Sequence, residues 1–162
     1  YTIKKYIETI NYARNKIKDL GVSTDIIVGF PGETGQNFAN TYKAVDEISF
    51  FKVHIFTYSD REGTKSFGFL GKVSEEVKEV RYKKLKGICD LKAKEFIEKI
   101  IAAKGELEVL VESSKDKDSG LLKGVSSNYI RVPLENASKD HINKFVKVKI
   151  TDVNGNVFGR II

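Results

Sequence analysis

The spacing of hydrophobic residues changes its period along this chain, and each change marks an element. Between residues 2 and 20, Ile3, Tyr6, Ile7, Ile10, Ala13, Ile17 and Leu20 recur at helical spacing, with Gly21 as the stop. Asp25-Ile26-Ile27-Val28 is a short β-branched run, the pattern of a parallel strand covered on both faces. The turn Gly29-Phe30-Pro31-Gly32-Glu33-Thr34 follows. Thr34 is a natural cap for a helix starting near Gln36, with Phe38, Tyr42, Val45 and Ile48 on its buried side. Val53, Ile55 and Phe56 predict a second strand over Lys52–Tyr58. Helix, strand, helix, strand is a parallel α/β pattern with right-handed crossovers.

Ser59-Asp60-Arg61-Glu62-Gly63-Thr64 is a polar turn, and residues 65–73 read as an irregular loop. Ser74 then caps a long helix, with Glu75 and Glu76 in the first turn, where negative charge suits the dipole. Val77, Val80, Leu85, Ile88, Leu91, Phe96 and Ile100 predict a broad buried stripe, lysines cover the rest, and Gly105 ends the helix. From Glu106 the period becomes two: Leu107, Val109 and Val111 alternate with Glu106, Glu108 and Glu112. Further strands are expected at Leu121–Val125, Tyr129–Val132, Val146–Thr151 and Val157–Ile162. Asp118-Ser119-Gly120 and Asn154-Gly155 supply turns, the second being a type I′ hairpin cue. Such short strands in so few residues suit a small antiparallel OB-like β-barrel. The expected fold class is therefore α/β followed by all-β, organised as residues 1–73, a connector helix 74–104 and a barrel 105–162.

Composition adds boundaries. With 41% hydrophobic and 31% charged residues, the chain can bury a core and remain globular. No apolar run approaches the ~20 residues of a bilayer span. The N-terminus has neither a signal-peptide core nor a starting methionine, so the chain reads as beginning within a longer protein. Its single cysteine, Cys89, excludes a disulfide framework and any thiolate cluster made by this chain alone, and sits in the helical pattern as a buried thiol. His54 and His141 have no metal-ligand spacing. Of the net charge of +6, most falls in residues 72–104, with 10 basic against 6 acidic side chains, as either a solvated helix face or an electrostatic contribution to nucleic-acid binding. Two parallel strands cannot close a barrel. The strand ending at Gly29 is thus expected to lack an inner neighbour and to pair with another copy, as a homodimer or swapped pair.

A strand that ends in glycines and feeds a helix brings backbone to the carboxyl end of a sheet, where α/β proteins bind ligands. The same turn is also an ordinary tight connection. Glu33 has two readings: it accepts backbone N–H bonds and holds the turn, or it reaches a ligand. In the barrel, a Tyr129–Arg131 alternation predicts both side chains on one strand face, one able to stack on a base and the other to bind phosphate or stack.

The full strings are more specific. TDIIVGFPGET (24–34), VHIFTYS (53–59) and REGT (61–64) resemble the radical S-adenosylmethionine methylthiotransferases, which insert sulfur into tRNA or a ribosomal protein. The resemblance implies that the strands are the last ones of a partial β/α barrel. It also makes the C-terminal stretch the family's small RNA-binding barrel, the TRAM domain. By the same resemblance Gly29, Phe30 and Pro31, with Gly32 and Glu33 in the same turn, face the adenosine of S-adenosylmethionine, and Phe56 and Thr57 line the other side. Ser59 and Arg61 match a motif assigned to the substrate, with Asp60 standing where the family has proline; residues 65–74 lack the linker's usual prolines. Asn128, Tyr129, Ile130 and Arg131 match the family's barrel; Asn128, Tyr129 and Arg131 are the expected RNA contacts, in a patch that Lys123, Lys147 and Lys149 are expected to extend.

The family's catalysis uses iron–sulfur clusters held by cysteines that this chain does not contain, so the resemblance implies a catalytically incomplete piece of a cytoplasmic enzyme. The NYIRV string (128–132) leans toward the subfamily acting on threonylcarbamoyladenosine beside the anticodon, followed by the isopentenyladenosine type and the ribosomal-protein enzymes. The implied partner is a tRNA anticodon stem-loop, with no membrane. The alternative is a stand-alone RNA-binding module without activity.

Overall fold

Thr2 opens the first helix, α1 (Ile3–Lys16), its Oγ1 accepting the Lys5 N–H at 3.3 Å. The helix stops a turn earlier than the periodicity to Leu20 predicts. Ile17 is already extended, and Asp19 is left-handed at φ 58°. Arg14 holds this end, donating to the carbonyls of Ile48 at 2.6 Å and Ser49 at 2.9 Å. Burial lowers the pKa of that guanidinium. The computed structural model describes residues 2–152 and 157–162. They form two compact units, Tyr1–Lys94 and Glu95–Ile162.

In the first unit, β1 (Ser23–Val28) and β2 (Lys52–Thr57) pair in parallel, with Ile26 opposite Ile55, Ile27 opposite Phe56 and Val28 opposite Thr57. Between them runs α2 (Gly35–Ile48). Thr34 caps it by accepting the Asn37 N–H at 3.1 Å, and left-handed Ser49 ends it. Ile26, Val28, Val53 and Ile55 join a core with Ile10, Phe38, Val45, Ile48, Phe50, Leu85 and Cys89. The strands are not covered on both faces, as the β-branched run predicts. Ile27 and Phe56 stay half exposed, because side chains alternate and the helices pack on one side only.

Residues 65–73 are more ordered than an irregular loop, with a 3₁₀ turn at Lys65–Gly68. Ser74 opens α3 (Glu75–Lys104), its carbonyl accepting the Lys78 N–H at 3.0 Å and its Oγ the Val77 N–H at 3.4 Å. Hydrogen bonds from its own backbone and from Ser74 hold the Glu76 carboxyl below the usual range. Within the first unit the buried face of α3 runs through Lys78, Leu85 and Cys89. Val77, Val80 and Leu91 are exposed, correcting the predicted stripe: a lysine and an arginine occupy the inward positions instead.

The second unit is an antiparallel sheet of β3 (Glu106–Lys115), β4 (Leu122–Ser126), β5 (Arg131–Pro133), β6 (Phe145–Asp152) and β7 (Phe158–Ile161), in the order β5-β4-β3-β6-β7. It curls until its ends meet, with Leu134 bridging Gly159 and the Glu135 N–H donating to the Gly159 carbonyl at 2.9 Å. Gly159 is required at this closure: a Cβ there would lie 2.3 Å from Val148 Cγ1 and 2.9 Å from Val132 Cγ1. Leu107, Val109, Val111, Val132 and Val148 fill the interior. The Asn154-Gly155 hairpin cue lies outside the described residues.

Candidate functional site

The turn after β1 is built from both sides. Gly29 has φ +75° and donates its N–H to Glu33 Oε2 at 2.7 Å; Glu33 N–H returns to the Phe30 carbonyl at 2.9 Å. Arg81 donates to the same Glu33 oxygen at 2.6 Å and to the Glu33 carbonyl at 2.9 Å, with both side chains only 11% exposed. Its guanidinium also lies over the Phe38 ring, 5.6 Å from the centroid. Glu33 therefore holds the turn. Gly32, at φ +84°, donates to the Gly71 carbonyl at 2.8 Å, tying the loop before α3 to the same turn.

Lys78 packs beneath. Its stem lies against Gly29, and its ammonium donates to the Tyr58 carbonyl at 2.9 Å and to Glu75 at 2.7 Å. Phe30 meets Tyr58 edge-on at 5.2 Å and Phe69 at 6.1 Å, and remains 40% exposed. Pro31 is buried. Thr57 and Phe56 are exposed at the neighbouring strand end, in register with Val28 and Ile27. The structure thus brings Phe30, Phe56 and Thr57 to one end of a short sheet with an uncovered apolar face. Ser59 and Arg61 lie exposed in the following loop. Asp60, where the resemblance expects proline, accepts from Lys72 Nζ at 2.5 Å and from the Tyr58 hydroxyl at 3.0 Å, and these bonds lower its pKa.

Sequence reasoning missed Lys78, Arg81 and Gly71. A lysine and an arginine three residues apart read as solvated helix surface, and only their phase with Leu85 hints otherwise. They also account for part of the basic excess of this region, as does Lys92, paired with Asp46 at 2.9 Å. Cys89 is buried, which pushes its thiol pKa up, as for an inert core thiol.

In the second unit, Tyr129 and Arg131 do not share a strand face. Tyr129 is left-handed at φ 65° in a tight turn, and β5 begins only at Arg131. Ser126 causes this: its N–H donates to the Ile130 carbonyl at 3.0 Å, its Oγ accepts the Ile130 N–H at 3.0 Å, and its carbonyl accepts the Tyr129 N–H at 2.9 Å. The same hydroxyl donates to Asn128 Oδ1 at 2.6 Å, so Asn128 braces the turn that presents Tyr129 to solvent. Arg131 is exposed beside a 280 Å³ depression that also carries Asp116 and Asp118. Lys123 lies 3.9 Å from Glu112, while Lys147 and Lys149 stand opposite Glu108 and Glu106. The basic patch expected from these lysines is answered by acids strand for strand.

The first unit is α/β with a braced turn after β1, and the second is a small curled antiparallel sheet, so the chain is of the class in which an α/β region is followed by an OB-like β domain. The TRAM domain family matches residues 105–161. Over 155 residues the chain is 36% identical to the threonylcarbamoyladenosine tRNA methylthiotransferase of Bacillus subtilis, covering 93% of this chain and 33% of that protein. It is 37% identical over 158 residues to the tRNA-2-methylthio-N(6)-dimethylallyladenosine synthase of Clostridium novyi, covering 95% of this chain and 33% of the relative. The chain belongs to this tRNA methylthiotransferase family, corresponds to its C-terminal part, and spans about a third of the length of the curated relatives it matches. Among the described residues no helix is long and apolar enough to cross a membrane.

Proposed function

We propose that this chain works as the C-terminal part of a cytoplasmic enzyme that adds a methylthio group to a hypermodified adenosine next to the tRNA anticodon. The observation that carries the reading is the 36% identity running through 155 residues, and so through both units, to a protein named for threonylcarbamoyladenosine in tRNA.

In the first unit, the Gly29–Glu33 turn and the Phe56–Thr57 strand end form part of the wall against the adenosine of S-adenosylmethionine. The fit rests on the uncovered Ile27–Phe56 pair, which leaves a flat apolar surface beside exposed Phe30 and Thr57. Lys78 and Arg81 position this wall, and Glu33 acts through the turn. Ser59 and Arg61 extend from it toward the substrate. S-adenosylmethionine, when bound, supplies the radical and methyl chemistry of the family. Iron–sulfur ligation does not fit this chain: its one cysteine is buried, and no group of three metal-binding side chains occurs among the described residues. The chain alone is accordingly proposed to be inactive.

In the second unit, the barrel holds the anticodon stem-loop through Asn128, Tyr129 and Arg131, with Lys123 beside them. Binding of the chain to an unmodified anticodon stem-loop at two salt concentrations tests this. Salt-sensitive binding that Arg131→Ala weakens supports it. A folded chain that binds no stem-loop would point to a protein substrate or to recognition elsewhere in the enzyme.

A further inference from the structure

The outward face of the barrel carries an aromatic side chain to which neither motif nor charge drew attention. Phe145, the first residue of β6, is 70% exposed. In the sheet register it stands opposite Leu110, Leu110 opposite Val125, and Val125 opposite Arg131. Directly paired residues share a face, and the interior is filled by the alternate positions Val109, Val111, Gly124 and Val132. The row Phe145–Leu110–Val125–Arg131 therefore crosses four strands on the outside, about 14 Å at the usual strand spacing. Leu110 and Val125 are only partly buried, and the turn just before Arg131 presents Tyr129, 74% exposed.

On the same face the charges cancel. Lys147 stands opposite Glu108 and Lys149 opposite Glu106, with Lys123 near Glu112. Arg131 makes no ion pair among the described residues and shares its depression with Asp116 and Asp118. The face thus offers the flat ring of Phe145, an apolar floor and the guanidinium of Arg131, while Arg160, opposite Lys149 on the same face, is paired with Glu135, so no net positive field results. A paired base hides its faces in the duplex stack, whereas an unpaired base exposes them to such a surface.

Resting on the reading that the barrel binds RNA, we propose that this row seats unpaired nucleotides and that Phe145 is a base-stacking residue of the interface. The row and the family's RNA-binding module favour an RNA over a protein occupant.

The test is fluorescence anisotropy of the full chain with a short single-stranded oligoribonucleotide and with a perfect RNA duplex, at two salt concentrations. Phe145→Ala is expected to weaken single-strand binding by about tenfold, the scale of one lost base stack. It should leave the salt slope unchanged, because no phosphate contact is removed, and Phe145→Tyr should retain near wild-type affinity. Circular dichroism keeps unfolded variants out of the comparison. Wild-type affinity in Phe145→Ala, with Arg131→Ala or Tyr129→Ala still weakened, would overturn the role of Phe145 and leave RNA binding standing. A preference for the duplex would overturn the unpaired-base proposal. Failure of the wild type to bind either RNA would overturn both readings. A change in sedimentation on Phe145→Ala without loss of RNA affinity would assign the row to a protein contact instead.

Discussion

The stem of Lys78 occupies the space that a side chain on Gly29 would need: a Cβ built on Gly29 would sit 2.4 Å from Lys78 Cγ. The backbone there is also left-handed, with φ +75°. Gly29 is thus fixed by an internal packing requirement as well as by the turn. The contact explains why a lysine is buried at all: its methylenes cover a glycine, and its ammonium finds the Tyr58 carbonyl and Glu75.

Replacing Gly29 by alanine should therefore destabilise the first unit by about 2 kcal/mol, from the left-handed backbone and the displaced lysine together. Urea unfolding measures it. Adding Lys78→Ala should recover part of the loss, and strict additivity of the two substitutions would speak against the contact.

Arg81 is expected to matter as much through Glu33. Its side chain and that of Glu33 are both 11% exposed, so removing one leaves the other nearly buried and uncompensated. Arg81→Ala should cost about 3 kcal/mol. Arg81→Lys should restore only part, since an ammonium lacks the planar guanidinium face that lies over the Phe38 ring. A double-mutant cycle with Glu33→Gln gives the coupling; a coupling near zero would sink the brace.

Asp60 links the loop chemistry to pH. Lys72, first, and the Tyr58 hydroxyl lower its pKa, and the ammonium groups of Lys72 and Lys78 act in the same direction. A depressed folded-state value means that the contribution is present above the ordinary aspartate range and is lost as the pH falls through the lowered value. NMR titration should find the Asp60 carboxyl below the usual aspartate value, and Lys72→Ala should move it upward. An Asp60 titration unaffected by Lys72→Ala would contradict the link.

Closure of the second unit depends on Gly159. Gly159→Ala should force β7 away from Val148 and Val132 and lower stability by about 1–3 kcal/mol, as overpacking does. Thermal unfolding followed by circular dichroism checks this, and an unchanged midpoint would contradict the geometry.

Much of the fold was legible because local rules carried it. Thr34 and Ser74 cap where their spacing says, and Leu107, Val109 and Val111 alternate into the barrel interior. The misses have physical causes. Helix α1 ends at Lys16 because Arg14 ties it to the end of α2, a contact 34 residues away in sequence. Tyr129 adopts a left-handed conformation without a glycine to announce it, imposed by the Tyr129 N–H bond to the Ser126 carbonyl and by the backbone and hydroxyl bonds that tie Ser126 to Ile130. Lys78 and Arg81 were invisible because charge reads as exposure until a glycine and a carboxylate are found facing them. Phe145 was unremarkable as the edge of an apolar strand, and only the register with Leu110 turns it outward.

The most direct measurement is an amide chemical-shift titration of the isotope-labelled chain with an unmodified anticodon stem-loop. The account predicts shifts concentrated at Ser126–Arg131 and around Phe145, with the Gly29–Glu33 turn unmoved. Shifts confined to the first unit, or none from a folded chain, would contradict a barrel that holds RNA.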